Sequence, residues 1–242
     1  MKKKKSLDVG DNIKAFKSSF SFGGKTPENF DKHIQKSVPL YKDGQELICK
    51  LSSFFLSKNS NVYDLGCSTG SLISQIDKYH PSLQINLRGI DIEKKMISFA
   101  KNKIQKSKNK ISFKCADILK LGFKKSDLVI AYYTIQFVKP KFRQFLFDKI
   151  YKSLNWGGAF IFFEKVRAPD ARFQDMMSQI YQEYKVENGI KEKIVFQKSL
   201  SLRRVLEPYS TGQNLRYLKN SGFKDYMSIA KFGSFEGFLA IK

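Results

Sequence analysis

The clearest chemical signal in the chain is the segment Val62-Tyr-Asp-Leu-Gly-Cys-Ser-Thr-Gly70. Gly66 and Gly70 stand where an apolar strand passes into a helix, and glycine lets the backbone approach a ligand that a Cβ atom would obstruct. The segment lacks the Gly-Lys-Ser/Thr of a P-loop, and Asp64 before the first glycine distinguishes it from the dinucleotide fingerprint GxGxxG. It therefore predicts a ligand held at the end of a strand, without a pyrophosphate cradle.

Two more aspartates follow the next two predicted strands. Asp91 ends the strand that begins at Ile85, and its carboxylate can accept hydrogen bonds from both hydroxyls of a ribose. Asp117 ends the following strand, where it can accept a bond from the amino group of an adenine while Ile118 covers the ring. Three acidic strand ends in register indicate a nucleoside ligand. The plainer alternative is that all three carboxylates cap turns.

The elements that must position these residues alternate between strand and helix. Predicted strands are 61–65, Ile85–Ile90, Ile111–Cys115, Asp127–Ala131 and 159–163, followed by Tyr226–Lys231 and Phe235–Ile241 with a turn at Gly233-Ser234. Predicted helices are 68–76, Glu93–Lys106, Lys141–Leu154, Asp170–Asn188 and Gln213–Asn220. The alternation predicts an α/β fold with a doubly wound parallel sheet that a C-terminal antiparallel hairpin closes. We expect an N-terminal extension and lid at 1–42 and a ligand-binding domain at 43–242.

The strand, loop and carboxylate pattern resembles motif I of the class I methyltransferases, which bind S-adenosylmethionine (SAM). The resemblance implies a Rossmann-like, mostly parallel seven-stranded sheet. It also implies that the loop lies against the methionine part of SAM, and that Asp64 helps to order the loop and the amino group.

Over most of its length the chain resembles a narrower family, the carboxy-S-adenosylmethionine (carboxy-SAM) synthases. The similar segments are 34–41, 62–68, 133–137, 148–155, 164–165, 184–189, 208–210 and 221–224. The resemblance implies a homodimeric enzyme that converts SAM and prephenate into carboxy-SAM, which a partner enzyme uses to modify the wobble uridine of tRNA. In that reaction the methyl carbon beside the sulfonium loses a proton, and the resulting ylide captures carbon dioxide released from prephenate.

The resemblance also implies a set of ligand contacts. They fall on Tyr41, Gly66, Cys67, Ser68, Asp91, Ile92, Asp117 and Ile118, with Asp64 and Tyr132 beside them. Two positions depart from the family pattern, because Tyr132 replaces an asparagine and Ser199 replaces the arginine of a Lys-Arg pair. Arginine forms two charge-assisted bonds to a carboxylate, so its loss would cost about 2–4 kcal/mol of selectivity for the product. Arg203 and Arg204 could compensate if helical spacing brings one of them to the same place. Ser199, Arg203 and Arg204 are therefore the candidate substrate-binding residues.

These departures leave the transferred group open. The first hypothesis is a carboxy-SAM synthase. The second is an ordinary SAM-dependent methyltransferase acting on a small molecule, in which Tyr132 shapes a pocket for another acceptor. The third, a catalytically silent RNA-binding module, rests on charge alone. The sequence nominates no catalytic acid or base and no metal site, and His33 and His80 are interpreted as surface or packing residues. Glu164-Lys165 is interpreted as a structural ion pair, with the alternative that it reaches the site from the end of the fifth strand.

Composition limits the class of protein. The net charge is +22, but only 7 of the 44 basic residues are arginine, and the lysines are spread along the whole chain. Such a charge is mostly solvated surface, so we expect no direct tRNA binding and a frayed tail at Lys2–Lys5. Cys49, Cys67 and Cys115 form no CxxC pair, which favours core thiols over disulfides or zinc. The start lacks a secretory signal and no apolar run approaches the roughly 18 residues of a membrane span, so we expect a soluble, cytoplasmic protein.

Overall fold

The computed structural model describes residues 7–8, 14–15, 26–104 and 107–242, so the predicted tail at Lys2–Lys5 lies outside the described residues. The strands are β1 (Leu7–Asp8), β2 (Lys14–Ala15), β3 (Asn61–Leu65), β4 (Asn86–Asp91), β5 (Lys110–Cys115), β6 (Ser126–Tyr132), β7 (Leu154–Lys165), β8 (Asp225–Phe232) and β9 (Phe235–Ile241). The helices are α1 (Thr26–Ser37), α2 (Tyr41–Ser52), α3 (Ser71–Tyr79), α4 (Lys94–Lys103), α5 (Arg143–Ser153), α6 (Ala171–Glu187), α7 (Glu192–Ser201) and α8 (Thr211–Ser221). Short 3-10 helices lie at Ile135–Phe137 and Pro140–Phe142.

The main sheet has seven strands in the order β5-β4-β3-β6-β7-β9-β8. Strands β3 to β7 pair in parallel, while β9 pairs antiparallel with both β7 and β8. The predicted α/β fold, a mostly parallel seven-stranded sheet with a C-terminal antiparallel hairpin, is confirmed. The carboxyl ends of the five parallel strands meet at one edge, which is where such sheets bind ligands.

The central strand β7 shows why the sheet is buried on both faces. Successive side chains of a strand point to opposite faces. Ile161 and Phe163 belong to one core cluster, and Phe160 and Phe162 belong to the other. The first cluster also contains apolar residues of α2, α3 and α4, and the second contains those of α5 and α8. The continuous apolar run therefore marks a strand covered by helices on both sides.

Local signals account for several helix ends. Asp170 caps α6 by accepting a hydrogen bond from Phe173 N at 3.1 Å, and Ser210 caps α8 by accepting one from Gln213 N at 3.2 Å. Gly222 ends α8 with a φ of 108°, a conformation that favours glycine. The predicted helix over 68–76 begins only at Ser71, because Ser68 and Gly70 have φ angles of 48° and 72° and cannot continue a right-handed helix.

Three helices were not predicted from the sequence: α1, α2 and α7. The predicted boundary between 1–42 and 43–242 falls within the first turn of α2, and the division into extension, lid and domain stays a prediction. Strand β7 begins at Leu154, five residues before the predicted start, because the chain becomes extended directly after α5. Within the described ranges, no helix has the length and apolar character needed to cross a membrane.

Candidate active site

The glycine-rich loop between β3 and α3 is anchored to the neighbouring strand. The backbone N–H groups of Gly66 and Cys67 both donate to the Ile90 carbonyl, at 2.7 and 3.0 Å. Gly66 has a φ of 77°, and a Cβ atom there would collide with the side chain of Thr134. Position 66 therefore requires glycine for two reasons: the side chain of Thr134 leaves no room for a Cβ atom, and the positive φ angle favours glycine.

Asp91, at the end of β4, orders the loop and faces the cavity. Its two carboxylate oxygens accept hydrogen bonds from Ser68 N at 2.9 Å and from Glu93 N at 2.8 Å. Burial raises its pKa, and the backbone N–H donors partly offset that effect. Each oxygen retains a further lone pair, so the same carboxylate can also accept from ligand hydroxyls.

Asp64, in β3, is buried beside Asp91. Only 2% of its surface is exposed. Burial, followed by repulsion from Asp91, raises the pKa of its carboxyl to about 7. A ligand cation next to Asp64 would favour the ionised form, so this position is chemically suited to an ammonium group.

Asp117 and Ile118 follow β5. The Oδ1 atom of Asp117 accepts a hydrogen bond from Leu119 N at 2.9 Å, which fixes the turn. The Oδ2 atom takes no part in that bond. Ile118 and Ile92 add apolar surface to the lining of the cavity. Ile92 is 67% exposed, the exposure expected of a side chain that would cover a ligand rather than fill the core.

These residues border one cavity of about 570 Å³ at the carboxyl edge of the sheet. Cavities of about 300–1,000 Å³ hold small molecules and cofactors. All ten predicted cofactor-binding residues line it: Tyr41, Asp64, Gly66, Cys67, Ser68, Asp91, Ile92, Asp117, Ile118 and Tyr132. The structure thus brings this predicted set together.

The three predicted substrate-binding residues lie elsewhere. Ser199 is exposed, and its hydroxyl donates to the Phe196 carbonyl within α7 at 2.7 Å. The suggestion that helical spacing brings Arg203 or Arg204 to the site is contradicted by the geometry, because α7 ends at Ser201 and both arginines are exposed beyond it. Arg204 has a φ of 60°, which breaks the helical path. None of the three lines the cavity.

Tyr132, which replaces the family's asparagine, belongs to an aromatic cluster that borders the cavity. Its ring centroid lies 4.9 Å from that of Tyr41 and 4.7 Å from that of Tyr133, and its hydroxyl donates to the Tyr41 carbonyl at 2.5 Å. Burial raises the pKa of all three phenols, which therefore stay neutral. A Cβ atom on Gly44 of α2 would collide with the Tyr132 hydroxyl, so the small residue in α2 accommodates the large one in β6.

Sequence reasoning missed several residues that border the cavity, among them His33, Gln136, Tyr181 and Lys198. His33 was interpreted as a packing or surface residue, yet its Nε2 lies 2.7 Å from Lys198 Nζ at the cavity. The Lys198 position carried a signal, because it keeps the lysine of the family's Lys-Arg pair. No local pattern marks Tyr181, which reaches the cavity only through the packing of α6.

The predicted ion pair between Glu164 and Lys165 is wrong, because adjacent residues of a strand point to opposite faces. Glu164 accepts a hydrogen bond from Ile135 N at 3.0 Å and so supports the turn after β6. Burial raises its pKa to about 8. Lys165 faces the cavity, with its Nζ 4.2 Å from the centre of the Tyr181 ring.

Comparison with known proteins identifies the family. A family model described as a methyltransferase domain matches residues 62–158. The carboxy-S-adenosyl-L-methionine synthase of Campylobacter lari is 36% identical over 229 residues, covering 95% of this chain and 97% of the relative. The synthase of Staphylococcus epidermidis is 35% identical over 217 residues, covering 90% and 94%. The chain belongs to the carboxy-SAM synthase family. As a member of this family it is a SAM-dependent transferase.

Solved structures confirm the class I methyltransferase fold. An O-methyltransferase family protein from Burkholderia thailandensis aligns with a TM-score of 0.64 at 13% identity, covering 90% of this chain and 60% of that one. Human N-acetylserotonin methyltransferase in complex with SAM aligns with a TM-score of 0.57 at 17% identity, covering 92% and 60%. At these identities the likeness shows the fold alone.

Proposed function

We propose that this protein converts SAM and prephenate into carboxy-SAM, which a partner enzyme uses to modify the wobble uridine of tRNA. The observation that carries the proposal is the order of side chains along the carboxyl edge of the sheet. Along this edge, in the spatial order of the strands β5-β4-β3-β6-β7, lie Asp117, Asp91, Asp64, Tyr132 and Lys165. The carboxylates suit a nucleoside and an ammonium group, the aromatic ring suits a sulfonium, and the lysine suits an acidic co-substrate.

The described residues fit SAM in chemical type. Asp117 and Ile118 would hold the adenine, and Asp91 would accept from the ribose hydroxyls. Asp64 would face the ammonium group, whose charge favours the ionised carboxylate. Tyr41 and Tyr132 would surround the sulfonium, because the face of an aromatic ring attracts a cation.

When bound, SAM supplies a methyl carbon that the adjacent sulfonium acidifies and that forms the new bond to carbon dioxide. Prephenate supplies the carbon dioxide: loss of one carboxylate and of the ring hydroxide leaves the aromatic phenylpyruvate, and the hydroxide takes the methyl proton as water. Atoms and charge balance without an oxidant or a metal. The protein's part is to hold the two molecules together, and the neutral rings of Tyr41, Tyr132 and Tyr133, of which the last two are buried, keep water from the reacting carbon.

Methyl transfer to a small molecule is the competing function. Two observations favour it: the exposed position of Ser199 and the bulk of Tyr132 inside the cavity. A methyltransferase would turn SAM into S-adenosylhomocysteine in the presence of an acceptor, with no requirement for prephenate. The two functions therefore differ in the nucleoside that they leave behind.

Mass spectrometry of that nucleoside tests the proposal. Ligand released from purified protein is compared with ligand released after incubation with SAM alone, with prephenate alone, and with both. We expect a mass gain of one carboxyl group only when both are present. Recovery of SAM or S-adenosylhomocysteine alone under every condition would contradict the synthase function and favour the methyltransferase.

A homodimer is part of the proposal. Phe173, Met176 and Ile180 of α6 are 42%, 49% and 52% exposed, and their spacing puts them on one side of the helix. Phe196 of α7 is 63% exposed and lies one turn from Ser199. Such apolar exposure supports a contact between two copies. Analytical ultracentrifugation should give twice the chain mass, and should give the single chain mass after a charge is placed at Met176 or Ile180.

A further inference from the structure

One side of the cavity is lined by a connected group of side chains, here called the basic wall: Lys165 of β7, Tyr181 of α6, Ser37 and His33 of α1, and Lys198 of α7. Lys165 Nζ lies 4.2 Å from the centre of the Tyr181 ring, and the Tyr181 hydroxyl donates to the Ser37 carbonyl at 2.9 Å. Lys198 Nζ donates to the Ser37 hydroxyl at 3.1 Å and lies 2.7 Å from His33 Nε2. The two lysines are thus joined through only two intervening residues.

A second lysine lies against the same ring from outside the cavity. Lys185 Nζ is 4.1 Å from the centre of the Tyr181 ring, and Lys185 is only 8% exposed. Burial lowers the pKa of Lys165 to about 8, with a further contribution from Arg167. Burial lowers the pKa of Lys185 to about 8 as well, helped by repulsion from Lys165.

In the part of the chain that the structure describes, no carboxylate forms a salt bridge with Lys165 or Lys185. Buried charges are ordinarily paired, because an unpaired ion in a poorly solvated place is costly. Two lysines around one ring without a counter-ion therefore make a place where a bound anion is stabilised. Lys165 is the one of the two that faces the cavity, so the anion would be a ligand of the active site.

We propose that Lys165 and Lys198 bind the carboxylate groups of the acidic co-substrate. This inference rests on the proposed function and names its substrate-binding residues. It also explains which residue replaces the family's arginine as a carboxylate ligand. Ser199 is exposed to solvent, while the preceding residue, Lys198, lines the cavity.

Binding without turnover tests the inference. Protein loaded with S-adenosylhomocysteine, which has no methyl group to react, is titrated calorimetrically with prephenate. Loss of a charge-assisted hydrogen bond should weaken prephenate binding roughly 10- to 100-fold in Lys165→Met and in Lys198→Met, while S-adenosylhomocysteine affinity changes less than about twofold. Lys165→Arg should retain most of the prephenate affinity.

Lys242→Met is the matched control, because Lys242 Nζ also lies over a tyrosine ring, 4.7 Å from the centre of Tyr151, but outside the cavity. Prephenate should bind this control like the unsubstituted protein. Unchanged prephenate affinity in both Lys165→Met and Lys198→Met would overturn the subsite.

A measurement on the unsubstituted protein keeps the test valid if a variant fails to fold. Acetylation by acetic anhydride is followed at each lysine by peptide mass spectrometry. Prephenate should slow labelling of Lys165 and Lys198 and leave that of Lys242 unchanged; equal labelling with and without prephenate would overturn the proposal. If prephenate binds at these lysines but no carboxy-SAM forms from SAM, the proposed function fails and the subsite stands. If carboxy-SAM forms but prephenate does not bind at these lysines, the subsite fails and the proposed function stands.

Discussion

The raised pKa of Asp64 makes protein stability depend on pH in a way that one substitution should remove. The carboxyl has a pKa of about 7 in the folded protein against an ordinary value of 3.8. The folded protein therefore holds this proton more tightly than the unfolded chain does. That contribution to stability is present at low pH and is lost as the pH rises through about 7.

The size of the effect follows from the two pKa values. Between about pH 5 and pH 7 the folded protein keeps the proton while the unfolded chain is already ionised, and these roughly two pH units correspond to about 2.7 kcal/mol, with little further change up to pH 8. Asp64→Asn has no such proton. We expect the free energy of unfolding of the unsubstituted protein to fall by about 2–3 kcal/mol more than that of Asp64→Asn over this range.

Urea unfolding of the ligand-free protein at the two pH values measures this double difference, in which pH-independent effects of the substitution cancel. Asp225→Asn is the control, because Asp225 is exposed at the start of β8, and it should follow the unsubstituted protein. The same substitution at Asp64 should weaken SAM binding more at high pH than at low pH. Parallel stability profiles for Asp64→Asn and the unsubstituted protein would refute the assigned environment of Asp64.

Three further outcomes are expected. Asp91→Asn should weaken SAM binding by roughly 10- to 100-fold in calorimetry, because it removes the charge that orders the loop and faces the ribose; an affinity within twofold would count against that role. Gly44→Ala should destabilise the protein when Tyr132 is present but stabilise it by up to about 1 kcal/mol in Tyr132→Ala, as measured in a double-mutant cycle; equal effects in both backgrounds would disprove the packing. Arg203→Ala and Arg204→Ala should leave carboxy-SAM formation within twofold, and a tenfold loss would restore them as site residues.

Local sequence signals were sufficient for the part of the cavity that is bordered by three aspartates. Asp64, Asp91 and Asp117 lie at or just after the carboxyl ends of three short strands, and parallel strands bring their carboxyl ends to one edge, so the pattern predicts both the elements and where they meet. Thr26-Pro27-Glu28 also carries a helix-start signal for α1, with proline in the first turn and an acidic residue after it.

The basic wall could not be predicted in this way. Lys165, Tyr181 and Lys198 come from three elements whose packing depends on long-range contacts, and no spacing in the sequence relates them. The error over Arg203 and Arg204 has a similar cause, because α7 ends at Ser201 and the chain turns left-handed at Arg204 without a glycine or proline to signal either change. The sequence shows that Tyr132 departs from the family pattern. It does not show that the tyrosine fits because Gly44, in a helix distant along the chain, leaves room for its hydroxyl.

Isotope labelling tests the central claim most directly. The protein is incubated with SAM that carries a fully deuterated methyl group and with prephenate labelled with carbon-13 in its ring carboxylate, and the nucleoside product is analysed by mass spectrometry. The account predicts carboxy-SAM that contains the labelled carbon and has lost one deuterium atom from the former methyl group. Unlabelled carbon in the product, or transfer of the intact deuterated methyl group with release of S-adenosylhomocysteine, would contradict it.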